Sequence, residues 1–307
     1  MQAEVAAIAR RPATSHYVDV RGMRHHVLTW GAPTAPKLFL VHGWMDVGAS
    51  FQFLVDALER EWYVVAPDLR GFGRSEWQPQ GYWFHDYIAD LEALLDHFAR
   101  GERVNLAGHS LGGNVVMHYA GVRPDRIRRL VSLDGFGIPD DTRDSAVRKS
   151  VKWLDALNED QSFRPYANLD EVAARLQKTN PRLPRDKALF LASYWADVLP
   201  DGRAALNSDP RHKLPFPTVY RMAEVERIWQ AITAPTLWVA GAQSHILQWL
   251  DPARNPAQSA PDFAGIRERL AHVPGARLEM IADAAHMLHH DQPLAVARVV
   301  EPFFAAE

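Results

Sequence analysis

Cysteine is absent from the 307-residue sequence, which excludes disulfide bonds, a thiolate nucleophile and any metal site built on cysteine sulfur. Long apolar runs are absent as well, since no segment approaches the roughly 20 apolar residues that a membrane-spanning helix needs. Residues 1–12 lack the apolar core and the small-residue cleavage site of a secretory signal peptide. We therefore expect a soluble, cytoplasmic protein.

The chain also has little excess charge, with a formal net charge of -3 at pH 7. Nucleic acids and anionic membranes both require clustered Lys and Arg in their protein partners. The small basic group formed by Arg126, Arg128 and Arg129 is typical of a solvated face. The sequence therefore favours a small-molecule partner over a nucleic acid or a membrane, and it leaves the oligomeric state open.

Short apolar runs alternate with helical patterns over most of the chain, which predicts parallel strands joined by crossover helices. The predicted strands are two in a hairpin at 16–30, then 37–41, 62–66, 104–107, 127–133, 235–240 and 277–281. The predicted helices between and after them are 50–59, 86–98, 114–121, 263–272 and 293–304. This pattern indicates an α/β protein whose eight-stranded sheet is mostly parallel and flanked by helices.

The alternation stops between residues 138 and 232, where no strand is predicted and helical segments at 143–157, 169–178 and 186–199 follow one another. Asn168 and Glu171 have the spacing of a helix capping box. Prolines separate the helices, so the segment is too broken to form a bundle of its own. We therefore expect a core domain of residues 1–137 and 233–307, with a helical cap of residues 138–232 inserted after the sixth strand.

Segment 108–113, Gly-His-Ser-Leu-Gly-Gly, follows an apolar strand-like run and precedes a helical one. A serine at a sharp strand-to-helix turn is held in a strained conformation, and the glycines on either side let the two elements pass closely. The turn exposes the Ser110 hydroxyl beside the amino end of a helix, where backbone N–H groups stabilise negative charge. The motif therefore predicts that Ser110 is a nucleophile.

Three landmarks give the chain a resemblance to the α/β-hydrolase fold over nearly its whole length. They are 42–45 (His-Gly-Trp-Met) after the third predicted strand, 108–113 after the fifth, and 284–287 (Ala-Ala-His-Met) after the last. Segment 68–75 is similar to the loop after the fourth strand in the lidded branch that includes haloalkane dehalogenases, epoxide hydrolases and many esterases. A serine nucleophile argues against dehalogenase and epoxide hydrolase chemistry, for which the resembling families use aspartate. The resemblance thus implies a lidded serine hydrolase.

The resemblance implies that His286, directly after the last strand, is the catalytic base. Serine needs such a base within hydrogen-bond reach. His289 and His290 lie close by and suggest a metal site, but no further ligands are evident beside them in the sequence. We therefore expect structural or solvated roles for these two histidines and no metal or cofactor in the protein.

The acid departs from the commonest pattern of the resembling family, which places it in a Gly-x-x-Asp turn after the seventh strand. Here the turn ends in Ser244, and serine cannot stabilise an imidazolium as a carboxylate does. Asp134, at the end of the sixth strand, resembles the acid in part of the haloalkane dehalogenase group. We predict that Asp134 completes the triad, with Asp251 and Asp262 as alternatives and with a simple turn-capping role for Asp134 also open.

Backbone amides of Trp44 and Leu111 are the expected oxyanion-hole donors. His42 and Gly43 are expected to shape the loop that carries Trp44 and to border the substrate site. Further substrate contacts are predicted for Phe136 and Ile138, which follow Asp134, and for aromatic residues of the cap such as Trp195.

The most specific prediction is a serine hydrolase that cleaves a partly apolar carboxylic ester through an acyl-enzyme, using Ser110, His286 and Asp134. Lactone hydrolysis, carbon–carbon bond hydrolysis and perhydrolysis use the same triad and stay open. A lidded ligand-binding protein with vestigial activity is the alternative from another class.

Overall fold

The computed structural model describes residues 10–141, 145–250 and 263–306. Its strands are β1 (Thr14–Val20), β2 (Met23–Trp30), β3 (Lys37–Val41), β4 (Tyr63–Pro67), β5 (Val104–His109), β6 (Ile127–Leu133), β7 (Ala196–Val198), β8 (Ala204–Leu206), β9 (Thr236–Gly241) and β10 (Arg277–Ile281). Eight of them form one sheet in the order β1-β2-β4-β3-β5-β6-β9-β10. Strands β3, β4, β5, β6, β9 and β10 are mutually parallel, which confirms the predicted mostly parallel sheet of eight strands.

The helices are α1 (Gln52–Ala57), α2 (Phe84–Phe98), α3 (Leu111–Val122), α4 (Ser145–Leu157), α5 (Leu169–Thr179), α6 (Arg185–Trp195), α7 (Met222–Gln230), α8 (Ile246–Leu250), α9 (Ala264–Leu270), α10 (Leu288–Asp291) and α11 (Pro293–Ala305). None of the described helices is both long and apolar enough to cross a bilayer.

Helices cover the sheet on both faces, so the central strands carry buried apolar side chains on both faces. In β3, Phe39 and Val41 pack into one apolar cluster with α2 and α3, whereas Leu38 and Leu40 pack into another with α1 and α11. This alternation follows from the two-residue period of a strand, whose successive side chains point to opposite faces. The sheet is thereby fixed between two apolar layers, and its carboxyl edge is left for the loops.

The segment between β6 and β9 carries α4 to α7 and has an apolar cluster of its own. Val172 and Leu176 of α5 pack with Leu191 of α6 in this cluster. Asn168 caps α5 as predicted, since its side-chain oxygen accepts a hydrogen bond of 3.0 Å from the Glu171 amide. Phe53 of the core belongs to the same cluster, so the insertion is packed onto the α/β core.

The expectation that residues 138–232 contain no strand is wrong. Helix α6 ends at Trp195, and the following residues 196–198 pair in antiparallel fashion with 204–206 as β7 and β8. Gly202, at φ +86°, allows the turn between these strands, and the Leu199 amide donates to the Arg203 carbonyl at 2.7 Å. The predicted helix 186–199 was therefore too long, because the turn signal at Pro200, Asp201 and Gly202 makes a hairpin with the residues before it.

Candidate active site

Ser110 lies between β5 and α3 with φ 54° and ψ -114°, a conformation that costs a non-glycine residue free energy. Glycine is required at positions 108 and 112 because a side chain there would overlap the neighbouring backbone. A Cβ on Gly108 would lie 2.2 Å from the Gly112 carbonyl oxygen, and one on Gly112 would lie 2.0 Å from the Val41 carbonyl oxygen. The strand and the helix therefore pass each other at backbone contact, and the turn presents the Ser110 side chain at the carboxyl edge of the sheet.

The structure brings His286 and Asp134 to this serine. The Ser110 Oγ lies 3.0 Å from His286 Nε2, and His286 Nδ1 lies 2.7 Å from Asp134 Oδ2. Since a carboxylate only accepts, His286 donates its Nδ1 proton to Asp134 and leaves the Nε2 lone pair facing the hydroxyl. This is the tautomer that can take a proton from Ser110 during nucleophilic attack.

Asp134 follows β6, where its amide donates to the Val239 carbonyl of the neighbouring strand β9 at 2.9 Å. Its carboxylate is buried, and it accepts hydrogen bonds from two groups, one at the end of β9 and one in the loop that follows. The Gly241 amide donates to Oδ1 at 3.3 Å, and the Ser244 hydroxyl donates to Oδ2. These hydrogen bonds fix the orientation of the Asp134 carboxylate towards His286. The supporting role of Ser244 was missed in the sequence, where the residue stands out only as the wrong type for the acid.

The loop that carries His286 is held at two points. His109 donates from Nε2 to the His286 carbonyl at 2.8 Å, and Asp291 accepts a hydrogen bond of 2.8 Å from the Ala285 amide. Burial lowers the pKa of His109 well below the ordinary 6.5, so its ring adds no positive charge beside His286. Burial and the nearby His286 likewise lower the pKa of His245, whose ring centroid lies 4.9 Å from that of His286.

Leu111 and Trp44, the predicted oxyanion-hole donors, both line the cavity beside Ser110. Leu111 is the first residue of α3, so its amide points out of the positive end of the helix. Trp44 follows Gly43 on the loop after β3, and the residue is 54% exposed. Within the part of the chain that the structure describes, neither amide donates a backbone hydrogen bond. Both N–H groups are thus available to a ligand.

A cavity of about 680 Å³ opens beside Ser110. Its walls are mainly apolar, and the segment between β6 and β9 supplies many of them, among them Phe163, Tyr166, Val172, Leu176, Leu183, Leu191 and Trp195. Among the residues predicted to contact substrate, Gly43, Ile138 and Trp195 line this cavity.

His42 and Phe136, for which substrate contacts are also predicted, are buried and are not among the residues that line this cavity. His42 donates from Nδ1 to the Gly43 carbonyl at 2.7 Å and accepts from the Leu69 amide at Nε2 at 2.8 Å. It therefore shapes the loop that carries Trp44. Phe136 is 1% exposed and packs against Trp238, with ring centroids 4.9 Å apart.

The remaining candidates from the sequence are the two alternative acids and the two histidines after His286. Asp251 and Asp262, the alternative acids, lie outside the described residues. His289 and His290 are both buried, so the solvated interpretation of them is wrong. The Ser50 hydroxyl lies 3.1 Å from Nε2 of His289 and 2.7 Å from Nε2 of His290.

Comparison with known proteins agrees with this architecture. A family model described as alpha/beta hydrolase fold matches residues 36–293. A serine hydrolase-like protein of Danio rerio is 30% identical over 198 residues, which are 62% of this chain and 58% of that protein's length. A 3-hydroxybutyrate-oligomer hydrolase of Cupriavidus necator is 30% identical over 230 residues, 71% of this chain and 76% of that protein. This chain thus spans less than two thirds of the first relative and about three quarters of the second.

Solved structures give the same result for the fold. A thioesterase domain from the curacin biosynthetic pathway superposes with a TM-score of 0.83 at 21% identity, covering 95% of this chain and 99% of that one. A hypothetical protein of Pseudomonas aeruginosa PAO1 superposes with a TM-score of 0.81 at 26% identity and the same coverage of both chains.

Proposed function

Because this chain belongs to the α/β-hydrolase family, we propose that it is a serine hydrolase that cleaves carboxylic esters through an acyl-enzyme on Ser110. The observation that carries the proposal is the unbroken hydrogen-bond path from Asp134 through His286 to the Ser110 hydroxyl. A serine oxygen becomes a competent nucleophile only when such a base removes its proton during attack.

In the first half-reaction the Ser110 Oγ attacks the ester carbonyl while His286 Nε2 takes the hydroxyl proton. The carbonyl oxygen becomes an oxyanion, which the Leu111 and Trp44 amides stabilise by hydrogen bonds. The imidazolium donates its proton to the leaving alcohol, and Asp134 stabilises the positive ring throughout. In the second half-reaction His286 activates a water molecule in the same way, and the acid product leaves.

The cavity points to the kind of ester. A volume of about 680 Å³ with mainly apolar walls suits a substrate with an apolar body rather than an acetyl group alone. We propose that residues 138–232 act as a cap over the site, because they supply wall residues such as Leu183, Leu191 and Trp195. Lactones are cyclic esters, and the same two half-reactions open them.

A fluorophosphonate probe tests the proposal directly, since it phosphonylates an activated serine. We expect one label per chain on wild-type protein and none on Ser110→Ala. Hydrolysis of p-nitrophenyl esters with acyl chains from acetate to decanoate should fall by at least about 10⁴-fold in the same variant. A wild-type protein that takes no label and turns over no ester of the series, or a label that persists in Ser110→Ala, would refute the proposal.

A further inference from the structure

Three neighbouring buried side chains beside the candidate active site each carry one polar atom that lacks a hydrogen-bond partner. These atoms are Asp46 Oδ1, His109 Nδ1 and His289 Nδ1. The three residues are 4%, 2% and 0% exposed, and they offer ligand atoms within 4.8 Å of one another. Each unpaired buried polar atom costs about 1–3 kcal/mol, so three in one place require an explanation.

The hydrogen bonds of His109 fix its protonation. Its Nε2 lies 2.8 Å from the His286 carbonyl oxygen, which can only accept. Nε2 therefore carries the proton of the neutral ring, and Nδ1 carries a lone pair. That lone pair has no hydrogen-bond partner, and His109 lies in the same cluster as Asp46 and His289.

The same reasoning applies to His289 through Ser50. The Ser50 hydroxyl donates its single proton to Asp46 Oδ2 at 2.7 Å, so it can only accept from His289 Nε2 at 3.1 Å. His290 also donates to Ser50, at its carbonyl oxygen. His289 Nε2 therefore carries the proton, and Nδ1 of this ring is a second free lone pair.

Among the described residues, no hydrogen-bond donor reaches either imidazole lone pair or the Asp46 Oδ1 atom. Trp195 lies near the Asp46 carboxylate but leaves its Oδ1 atom unpaired. One water molecule has two protons for three acceptors, so it cannot satisfy all of them. A cation satisfies all three together, and two imidazoles with one carboxylate form a common ligand set for a divalent transition metal.

We propose that Asp46, His109 and His289 form a binding site for a divalent transition-metal ion, with Zn²⁺ as the best-fitting ion. Bonds of about 2.0–2.2 Å place the ligands of a tetrahedral ion about 3.4 Å apart, so small side-chain rotations close the cluster onto the metal. Asp46 and His109 also line the cavity beside Ser110, which gives the ion a path of entry. A water molecule or a group in the cavity completes the coordination.

The location predicts an inhibitory ion, a consequence that rests on the proposed function. The ring centroids of His109 and His286 lie 4.8 Å apart, and His286 must become positively charged during hydrolysis. A bound divalent ion offset by one carboxylate leaves positive charge nearby, which opposes the imidazolium by about tenfold to a hundredfold in rate.

Metal binding is measured on the full chain without an affinity tag, after removal of metal by a chelator. Equilibrium dialysis against Zn²⁺ and the visible spectrum of bound Co²⁺ give stoichiometry, affinity and ligand geometry. We expect one ion per chain in the wild type and binding at least about 100-fold weaker in Asp46→Asn and in His289→Leu. Added Zn²⁺ should raise the unfolding temperature of the wild type and of neither variant.

Two further variants serve as controls. His85 and His118 form another histidine pair, with ring centroids 5.7 Å apart, so His85→Gln removes a histidine without touching the cluster and should bind as the wild type does. Ser110→Ala should also bind the ion normally, which separates the metal site from the proposed hydrolysis.

The proposal is overturned if the wild type binds no ion, or if Asp46→Asn and His289→Leu bind as tightly as His85→Gln. Asp46→Asn preserves the shape of the side chain and so keeps the test decisive should His289→Leu fail to fold.

Discussion

Ser244 donates a hydrogen bond to the carboxylate of Asp134 across the junction of two neighbouring strands. Ser244, in the turn where the family usually carries its acid, therefore holds the carboxylate of Asp134, the proposed acid at the end of the neighbouring strand. Because β6 and β9 are parallel and paired, their carboxyl ends deliver side chains to the same point. A carboxylate can reach His286 Nδ1 from the end of either strand.

Replacing Asp134 by asparagine should lower kcat by about 10³–10⁴-fold. The amide can donate to His286 Nδ1, which favours the tautomer with the proton on Nε2 and removes the lone pair that Ser110 needs. Steady-state hydrolysis of a p-nitrophenyl ester measures the loss. Asp251→Asn is the matched control and should retain nearly wild-type turnover. The reverse ranking of the two variants would assign the acid to Asp251.

A carboxylate placed after β9, at position 244, should partly replace the carboxylate of Asp134 after β6. We expect Asp134→Asn combined with Ser244→Asp to recover about tenfold or more of the activity lost in Asp134→Asn, because a carboxylate is restored within reach of His286. Ser244→Ala should reduce kcat modestly, by about tenfold or less, through loss of one donor to Asp134. A double variant no more active than Asp134→Asn would mean that the turn after β9 cannot aim a carboxylate at the base.

The strained backbone of Ser110 predicts that the protein loses stability by placing a non-glycine residue at this position. At φ 54° and ψ -114° glycine is relaxed whereas alanine is not. Ser110→Gly should therefore be more stable than Ser110→Ala by about 1 kcal/mol, although neither variant can hydrolyse esters. Urea unfolding at pH 7 measures the difference. Equal midpoints for the two variants would mean that the turn relaxes once the side chain is removed.

His212 should make the fold sensitive to mild acid. Its ring is stacked between Phe72 and Tyr82, at centroid distances of 3.6 and 3.7 Å, and burial lowers its pKa to about 3. In the unfolded chain the ring takes up a proton below about pH 6.5. The unfolded state then binds more protons than the folded state, so stability falls as the pH falls from 6.5 towards 3.

For this one residue the fall between pH 7 and pH 5 is about 2 kcal/mol. Urea unfolding at the two pH values should show a smaller fall in His212→Phe, which keeps an aromatic ring in the stack and cannot be protonated. His97 is exposed, and His97→Gln should retain the full wild-type fall. If the free energy of unfolding of His212→Phe falls as much between pH 7 and pH 5 as that of the wild type, His212 does not cause the loss of stability in acid.

The sheet could be predicted from the sequence because its signal is local. Apolar runs such as 37–41 and 127–133 are buried on both sides and match β3 and β6 at both ends. The glycines around Ser110 allowed the turn to be predicted, because a residue with a Cβ atom does not fit the backbone contact there. The structure also brings His286 and Asp134 together with Ser110, which strand order makes possible, since all three follow parallel strands.

Features that depend on packing between distant segments could not be predicted from local sequence patterns. The β7–β8 hairpin follows directly on α6, and apolar spacing alone could not separate the end of the helix from the strand. Asp46 lies in the loop after β3, His109 ends β5 and His289 lies in α10, so the three are far apart in the chain and no metal-ligand partner of His289 was evident in the sequence. The orientation of His42 depends on the amide of Leu69, which no pattern near His42 contains.

The hydrogen bond from His109 to the His286 carbonyl joins the neighbour of Ser110 to the proposed base, 177 positions further along the chain. Any excursion of the loop after β10 must break this bond, in addition to the contact of Ala285 with Asp291. The loop should therefore exchange its amide hydrogens no faster than the adjoining strands. On heating, the site should keep its geometry until the whole domain unfolds, so that loss of activity and loss of structure coincide.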